Sequence, residues 1–308
     1  MKQYGQGGNA ALGMEHRYNN AFLIADDHEA WILDTCGRRW VARRVKDVAG
    51  ISNCYSTEEQ WDEDSGDVKE YAYENGWVSR DVPFNFAKVY SAMGIKHRAA
   101  HPRYARLNKL LNQHKGSIDL NVIRMIQRDH FEGEIIQPRW SPADGLHASI
   151  CMHAINEKAS RTSAAAHIEL AKGEQPVWGN CFSLPCMSIF APYTVESELP
   201  EIISHAEQCY TENSAWWQFE RMQYAMEQDY PKYIGQWRTV QRQLEEKYLE
   251  DVREHGAPAN EKIKANTEEM LKAADNMYRM ITCHPSASGE PQKAEANEVA
   301  KQRAKIVF

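Results

Sequence analysis

Residues 20–45 read NAFLIADDHEAWILDTCGRRWVARRV. Residues 21–25 are a short, wholly apolar run, and Asp26, Asp27 and His28 interrupt it with turn-forming side chains. Residues 30–33 are apolar again, residues 34–37 turn the chain, and residues 40–45 alternate bulky and charged side chains. Short apolar runs separated by a few turn residues predict an antiparallel meander. Strands apolar on both faces belong in the middle of a layered domain. A further strand is expected to begin at 51–54 (ISNC), after Gly50, so the first 56 residues read as sheet.

The chain then changes character. Residues 57–75 hold eight acidic side chains against Lys69 alone, which predicts an exposed loop or insertion. Asp62, Asp64 and Asp67 surround Gly66, but the glycine sits one place early for a calcium loop and the closing glutamate is displaced to Glu74. Residues 84–130 read as helical, with Leu107, Leu110 and Leu111, then Ile118, Val122, Ile123 and Ile126, at helical spacing. Residues 147–153 (HASICMH) and 177–193 read as strand-forming, with Pro185 and Pro192 keeping the latter short. Residues 162–170 are ambiguous, because their alanines favour helix.

From Glu196 onward the pattern is helical. Pro231 is expected to end or kink a helix over 216–230. Trp237, Val240, Leu244, Tyr248 and Val252 form one apolar stripe, and Ile263, Thr267, Met270, Ala274, Met277 and Ile281 form another. Both stripes read as core. The expected organisation is a sheet-rich region over 1–195, a helical region over 196–283 and a polar tail over 284–308.

Composition bounds the function. The 308 residues carry 36 basic and 43 acidic side chains, net −7, so no overall basic field draws nucleic acid. The basic stretch 96–115 has only Tyr104 as an aromatic, which is too little for a single-strand stacking platform. No apolar run approaches a membrane span. Seven cysteines, an odd number, and the absence of any Asn-X-Ser/Thr site predict free thiols in a reducing, cytoplasmic compartment.

Four local patterns carry possible chemistry. Gly5, Gly7 and Ala10 match a dinucleotide fingerprint loosely, but only four residues precede Gly5, so there is no strand before it. Cys151, His153, Cys181 and Cys186 could be drawn together as zinc ligands. Their spacing fits no standard finger or ribbon, so buried thiols without metal or cofactor are the expectation. Cys151 and His153 could also form a catalytic pair, but on a strand residues i and i+2 stand about 6–7 Å apart, too far for direct proton transfer. Asn53, at the end of the expected strand in ISNCYS, either holds a turn or donates N–H to a developing oxyanion.

In order, YGQGGN, NAFLIAD, EAWILDTCGRRWVARRV, ISNCYS, SICMHA, SRTSAAAHIEL, VWGNCFSLPCMSIFAPY and AWWQFERMQYA resemble the secernin-like dipeptidases. These are N-terminal-nucleophile (Ntn) cysteine hydrolases. The resemblance covers most of residues 3–230 and rests on the order and spacing of the segments. It implies an α+β fold, an αββα sandwich of two mostly antiparallel sheets with a helical C-terminal subdomain. It also implies hydrolysis of peptide or linear amide bonds in short peptide substrates. In that family the nucleophile is a cysteine at position 1, whose α-amino group, with a pKa near 8, serves as its base. By alignment with a strand-end asparagine of related hydrolases, Asn53 becomes the oxyanion donor.

This chain begins Met1-Lys2-Gln3, and its first cysteine is Cys36. The family's leading portion is therefore expected to be absent, leaving the chain inactive alone, with unpaired strand edges and exposed apolar faces. Three accounts follow. A complementary chain supplies the nucleophile; the chain is a non-catalytic peptide- or protein-binding scaffold; or an internal thiol has taken over catalysis. Self-association through the exposed edges is a further expectation.

Overall fold

The computed structural model describes residues 3–6, 19–91, 100–134, 140–142, 149–153, 161–170, 177–205 and 209–283. It is a mixture of helices and two antiparallel sheets, an α+β chain. Contacts divide it into two units, Met1–Asp119 and Leu120–Phe308.

The first unit contains the meander. Strands β1 (Asn20–Ala25), β2 (Ala30–Cys36), β3 (Arg39–Arg44) and β4 (Glu63–Asp64) follow one another in a four-stranded sheet. The Asp26 carboxylate closes the first turn by accepting from the backbone N–H groups of His28 and Glu29, both at 2.8 Å. The same two bonds hold its pKa below the usual value. Between β2 and β3 the pairing runs Cys36↔Arg39, and Gly37, at φ +60°, supplies the left-handed turn that a residue with a Cβ resists. Gln6 ties the YGQG segment to this turn, its N–H donating to Gly37 O at 2.6 Å.

Helix α1 (Val68–Glu74) lies within the stretch expected to be an exposed acidic loop. Val68 and Ala72 are buried, which turns the acidic side chains outward. Asp62, Asp64 and Asp67 accept hydrogen bonds from Arg44 N–H, Trp61 Nε1 and Arg39 respectively. Helix α2 (Phe86–Ser91) completes an aromatic core, with Tyr55 and Tyr90 against Phe86 at 5.2 and 4.5 Å between ring centroids. Helix α3 (Ala100–Gln113) closes on Gly50, where a Cβ would meet Leu107 at 2.5 Å. The strand expected over 51–54 reduces to a single bridge, Ser52↔Cys54. The chain there is held by side chains instead of a ladder.

The second unit begins with α4 (Leu120–Gln127). Its sheet is β5 (Ala164–Glu169), β6 (Val177–Phe182) and β7 (Ala191–Tyr193), in that order. The alanines of β5 are strand because Ala164–Glu169 pair with Phe182–Val177 across their whole length, which overrides a weak helical preference. Residues 149–153, expected as strand, are irregular. Cys151 N–H goes to Asp129 O and Met152 O takes Thr162 N–H, so neighbouring groups pair with different segments.

Helices α5 (Glu201–Ser204), α6 (Ala215–Glu227), α7 (Tyr230–His255) and α8 (Asn260–Cys283) complete this unit. Pro231 stands in the first turn of α7, where its missing N–H costs nothing, and α6 stops just before it. The stripe from Ile263 to Ile281 on α8 is buried throughout, as are Trp237 and Tyr248 on α7. These side chains share one core with Leu184, Met187, Ile189 and Tyr193. The second sheet and the C-terminal helices thus bury the same apolar surface within Leu120–Phe308. Residues 284–308, read as a polar tail, lie outside the described residues. Among the described residues no helix is long and apolar enough to cross a membrane.

Candidate functional site

The loop between β6 and β7 is the first element of the site. Residues 181–193 are all buried, although 183–190 have no strand pairing. A buried irregular loop must satisfy its backbone groups with side chains. Gln223 of α6 does so for Phe182, Leu184 and Met187 carbonyls and for Leu184 N–H. Gln241 of α7 donates to Cys186 O and Ser188 O. Arg128, after α4, donates to Pro185 O at 2.8 Å and Ser188 O at 3.2 Å, and pairs with Glu245, whose Oε1 also accepts from Phe190 N–H at 2.8 Å. Together these contacts hold the loop that carries Cys186, and Gln241 bonds the Cys186 carbonyl directly.

Cys186 meets three other side chains. His130, Cys151, His153 and Cys186 are all buried, and one ligand atom from each falls within 4.8 Å of the others. His153 Nε2 lies 3.3 Å from Cys186 Sγ and 4.0 Å from Cys151 Sγ. A carboxylate stands behind each imidazole. His153 Nδ1 is 2.7 Å from Glu227 Oε1, and His130 Nδ1 is 2.9 Å from Glu132 Oε1. A carboxylate only accepts, so both Nδ1 atoms carry hydrogen. Trp140 stacks on His130 with 3.6 Å between ring centroids, and Tyr230 closes on Trp140 edge-on at 5.2 Å. Arg161 lies against Glu220 at 2.8 Å and Glu227 at 3.8 Å, and Ser183 Oγ donates to Glu220.

The electrostatics follow from this crowding. Burial pushes the Cys151 thiol up, but the adjacent Cys186, His130 and His153 side chains outweigh it and bring it well below its ordinary value. Cys186 moves the other way, raised by burial and by the neighbouring Cys151. Burial opposes charge on His130, yet Cys151 and Glu132 hold its pKa up, at about 9. His153 is raised by the same balance, with Glu227 as its carboxylate. Glu132 is held below the usual carboxylate range, because His130 outweighs its burial. Two thiols and two imidazoles so placed can hold a metal ion.

Of Cys151, His153, Cys181 and Cys186, which could be drawn together as ligands although their spacing favoured plain buried thiols, three belong to the cluster. Cys181 is not in it. Its thiol is buried elsewhere on β6 and pushed up to about 12. His130 takes its place, from the turn 129–134 in which Phe131 and Gly133 have positive φ. Only the short DHFEGE turn could have signalled it, and that pattern is common. The strand geometry expected for Cys151 and His153 is also corrected, because the irregular backbone brings their side chains to 4.0 Å.

Asn53 lies in the first unit and is exposed. The segment after it is clamped to β2. Asp34, wholly buried, accepts from the N–H groups of Ser56 and Thr57 at 2.9 and 2.8 Å, and Tyr55 OH donates to Thr35 O at 2.7 Å. Arg103 of α3 donates to Asn53 Oδ1 at 2.6 Å. The amide's acceptor end is therefore engaged, and its donor end is Nδ2. Cys54, next along, has its thiol raised by burial and by Asp34. No family model matches the chain.

Proposed function

We propose that the chain is part of a secernin-like dipeptidase, hydrolysing the amide bond of short peptides, with Asn53 as a donor to the tetrahedral oxyanion. The observation that carries this is the set of Asn53. A guanidinium holds its oxygen, two backbone bonds to Asp34 brace the chain beyond it, and its donor end is the one left for a ligand. An amide donor held in place before the reaction stabilises developing charge without reorganisation. The architecture that goes with this activity is the αββα sandwich.

In this reading the nucleophile is a cysteine whose own α-amino group takes its proton, on a segment that docks against the residues described. Two internal thiols are poor substitutes. Cys151 is wholly buried, out of a peptide's reach, and Cys54 beside Asn53 has a raised pKa. Strand β1 is the matching docking edge. Phe22, Leu23 and Ile24 are exposed on both of its faces, and one side of the strand is unpaired among the described residues.

The test supplies the cysteine-led segment of a secernin-like dipeptidase in trans and follows dipeptide hydrolysis. The complex turns over, the 308-residue chain alone stays at background, and Asn53→Ala lowers kcat about 10²–10³-fold. An unchanged kcat returns Asn53 to holding a turn. Turnover by the chain alone, abolished by replacing an internal cysteine, overturns the assignment of the nucleophile. Tight peptide binding without cleavage by the complex replaces the enzyme with a binding scaffold.

A further inference from the structure

We propose that His130, Cys151, His153 and Cys186 form a closed structural zinc site. Zinc bound at about 2.3 Å to sulfur and about 2.0–2.1 Å to nitrogen sets tetrahedral edges of roughly 3.3–3.8 Å. The His153–Cys186 contact of 3.3 Å meets that spacing, and the His153–Cys151 contact of 4.0 Å needs only a small contraction. Thiolate and imidazole together select a borderline-soft ion and disfavour magnesium or calcium, which take oxygen.

Two further observations point to a ligand. His130 is wholly buried, and its Nε2 has no hydrogen-bond partner. A buried ring nitrogen without a partner is costly unless something fills the place. The other nitrogen of each histidine faces a carboxylate, Glu132 for His130 and Glu227 for His153, the arrangement that directs Nε2 toward a metal and raises its basicity.

Four protein ligands leave no open position for water, so the ion is structural and separate from peptide hydrolysis. It joins three segments, the irregular stretches around residues 130 and 151–153 and the 3-10 turn Pro185–Met187, that no strand ladder ties together. The helices α4, α6 and α7 hold the Cys186 loop from outside, and the ion would hold it from within.

The full chain, purified without added chelator, is expected to carry about one zinc per chain by elemental analysis. After removal of zinc, cobalt(II) should restore the visible ligand-field bands and near-ultraviolet thiolate charge transfer of a tetrahedral two-sulfur, two-nitrogen site. Cys186→Ser should abolish that spectrum, and Cys209→Ser, on the surface, should leave it intact. Glu227→Gln keeps all four ligands and should weaken zinc about 10–100-fold in chelator competition. Because the Cys186 variant can simply misfold, the unaltered chain decides. If it is folded by circular dichroism and yet binds neither zinc nor cobalt, the proposal falls. It falls equally if thiol titration and mass mapping show Cys151 joined to Cys186 in a disulfide.

Discussion

His167 shows how one neighbour decides a side chain's chemistry. It stands on β5 over Gly179 of β6, where an added Cβ would come within 2.0 Å of its Nε2. Arg124 donates to that nitrogen at 3.4 Å, and Phe190 flanks the ring. Burial, then the charges of Arg124 and Arg128, push its pKa down to about 3. An unfolded histidine titrates near 6.5. Between those values the unfolded chain binds the extra proton, so His167 makes the fold lose stability as pH falls from about 6.5 toward 3, and contributes no slope above 6.5. His167→Gln should therefore flatten the loss of urea resistance between pH 7 and pH 4 relative to the parent chain. Parallel pH profiles would show that its ring is not held neutral by this site.

Strands and helices divide by how they treat apolar surface. Stripes on α7 and α8 meet a shared core, and each buried Leu, Ile, Val, Phe or Met side chain contributes about 1.5–3 kcal/mol. Strand β1 does the opposite, leaving Phe22, Leu23 and Ile24 at 42%, 49% and 53% exposure. An apolar edge of that kind pairs with whatever strand reaches it. Without a complementary chain, the strand expected to reach it is β1 of a second copy. Light scattering should then show concentration-dependent association of the parent chain, and Phe22→Lys with Ile24→Lys should abolish it. A parent chain that stays monomeric at high concentration would remove β1 as a docking edge.

The molecule as a whole holds two units with different supports. Met1–Asp119 rests on aromatic packing around Phe86 and Tyr90, with no candidate metal ligands clustered among its described residues. Leu120–Phe308 combines an apolar core with the four-ligand centre. Hydrogen exchange should therefore respond unevenly to zinc removal. Amides around residues 130, 151–153 and 183–190 should lose protection, and those of β2 and β3 should keep theirs. Equal loss in both units, or none in either, would show that no ion supports the second unit alone.

Period and local turn chemistry, acting over a few residues, determined the meander at 20–44, the helices α3 to α8 and the buried stripe of α8. Pro231 marked the break after α6 for the same local reason, although the helix ends at Glu227 and a new one starts at Tyr230. Tertiary contact alone decided the rest. Val68 and Ala72 made a helix of a stretch whose charge said loop, because two buried side chains outweigh the solvated face. Pairing with β6 made a strand of the alanines in β5. The metal centre was half legible: Cys151, His153 and Cys186 could be named from composition, whereas His130 could not. Its ligands run from residue 130 to residue 186 on irregular backbone and one 3-10 turn, too short for a periodicity to orient a side chain. The Cys186 loop is held by Gln223, Gln241, Arg128 and Glu245, polar residues whose task exists only once that loop is buried.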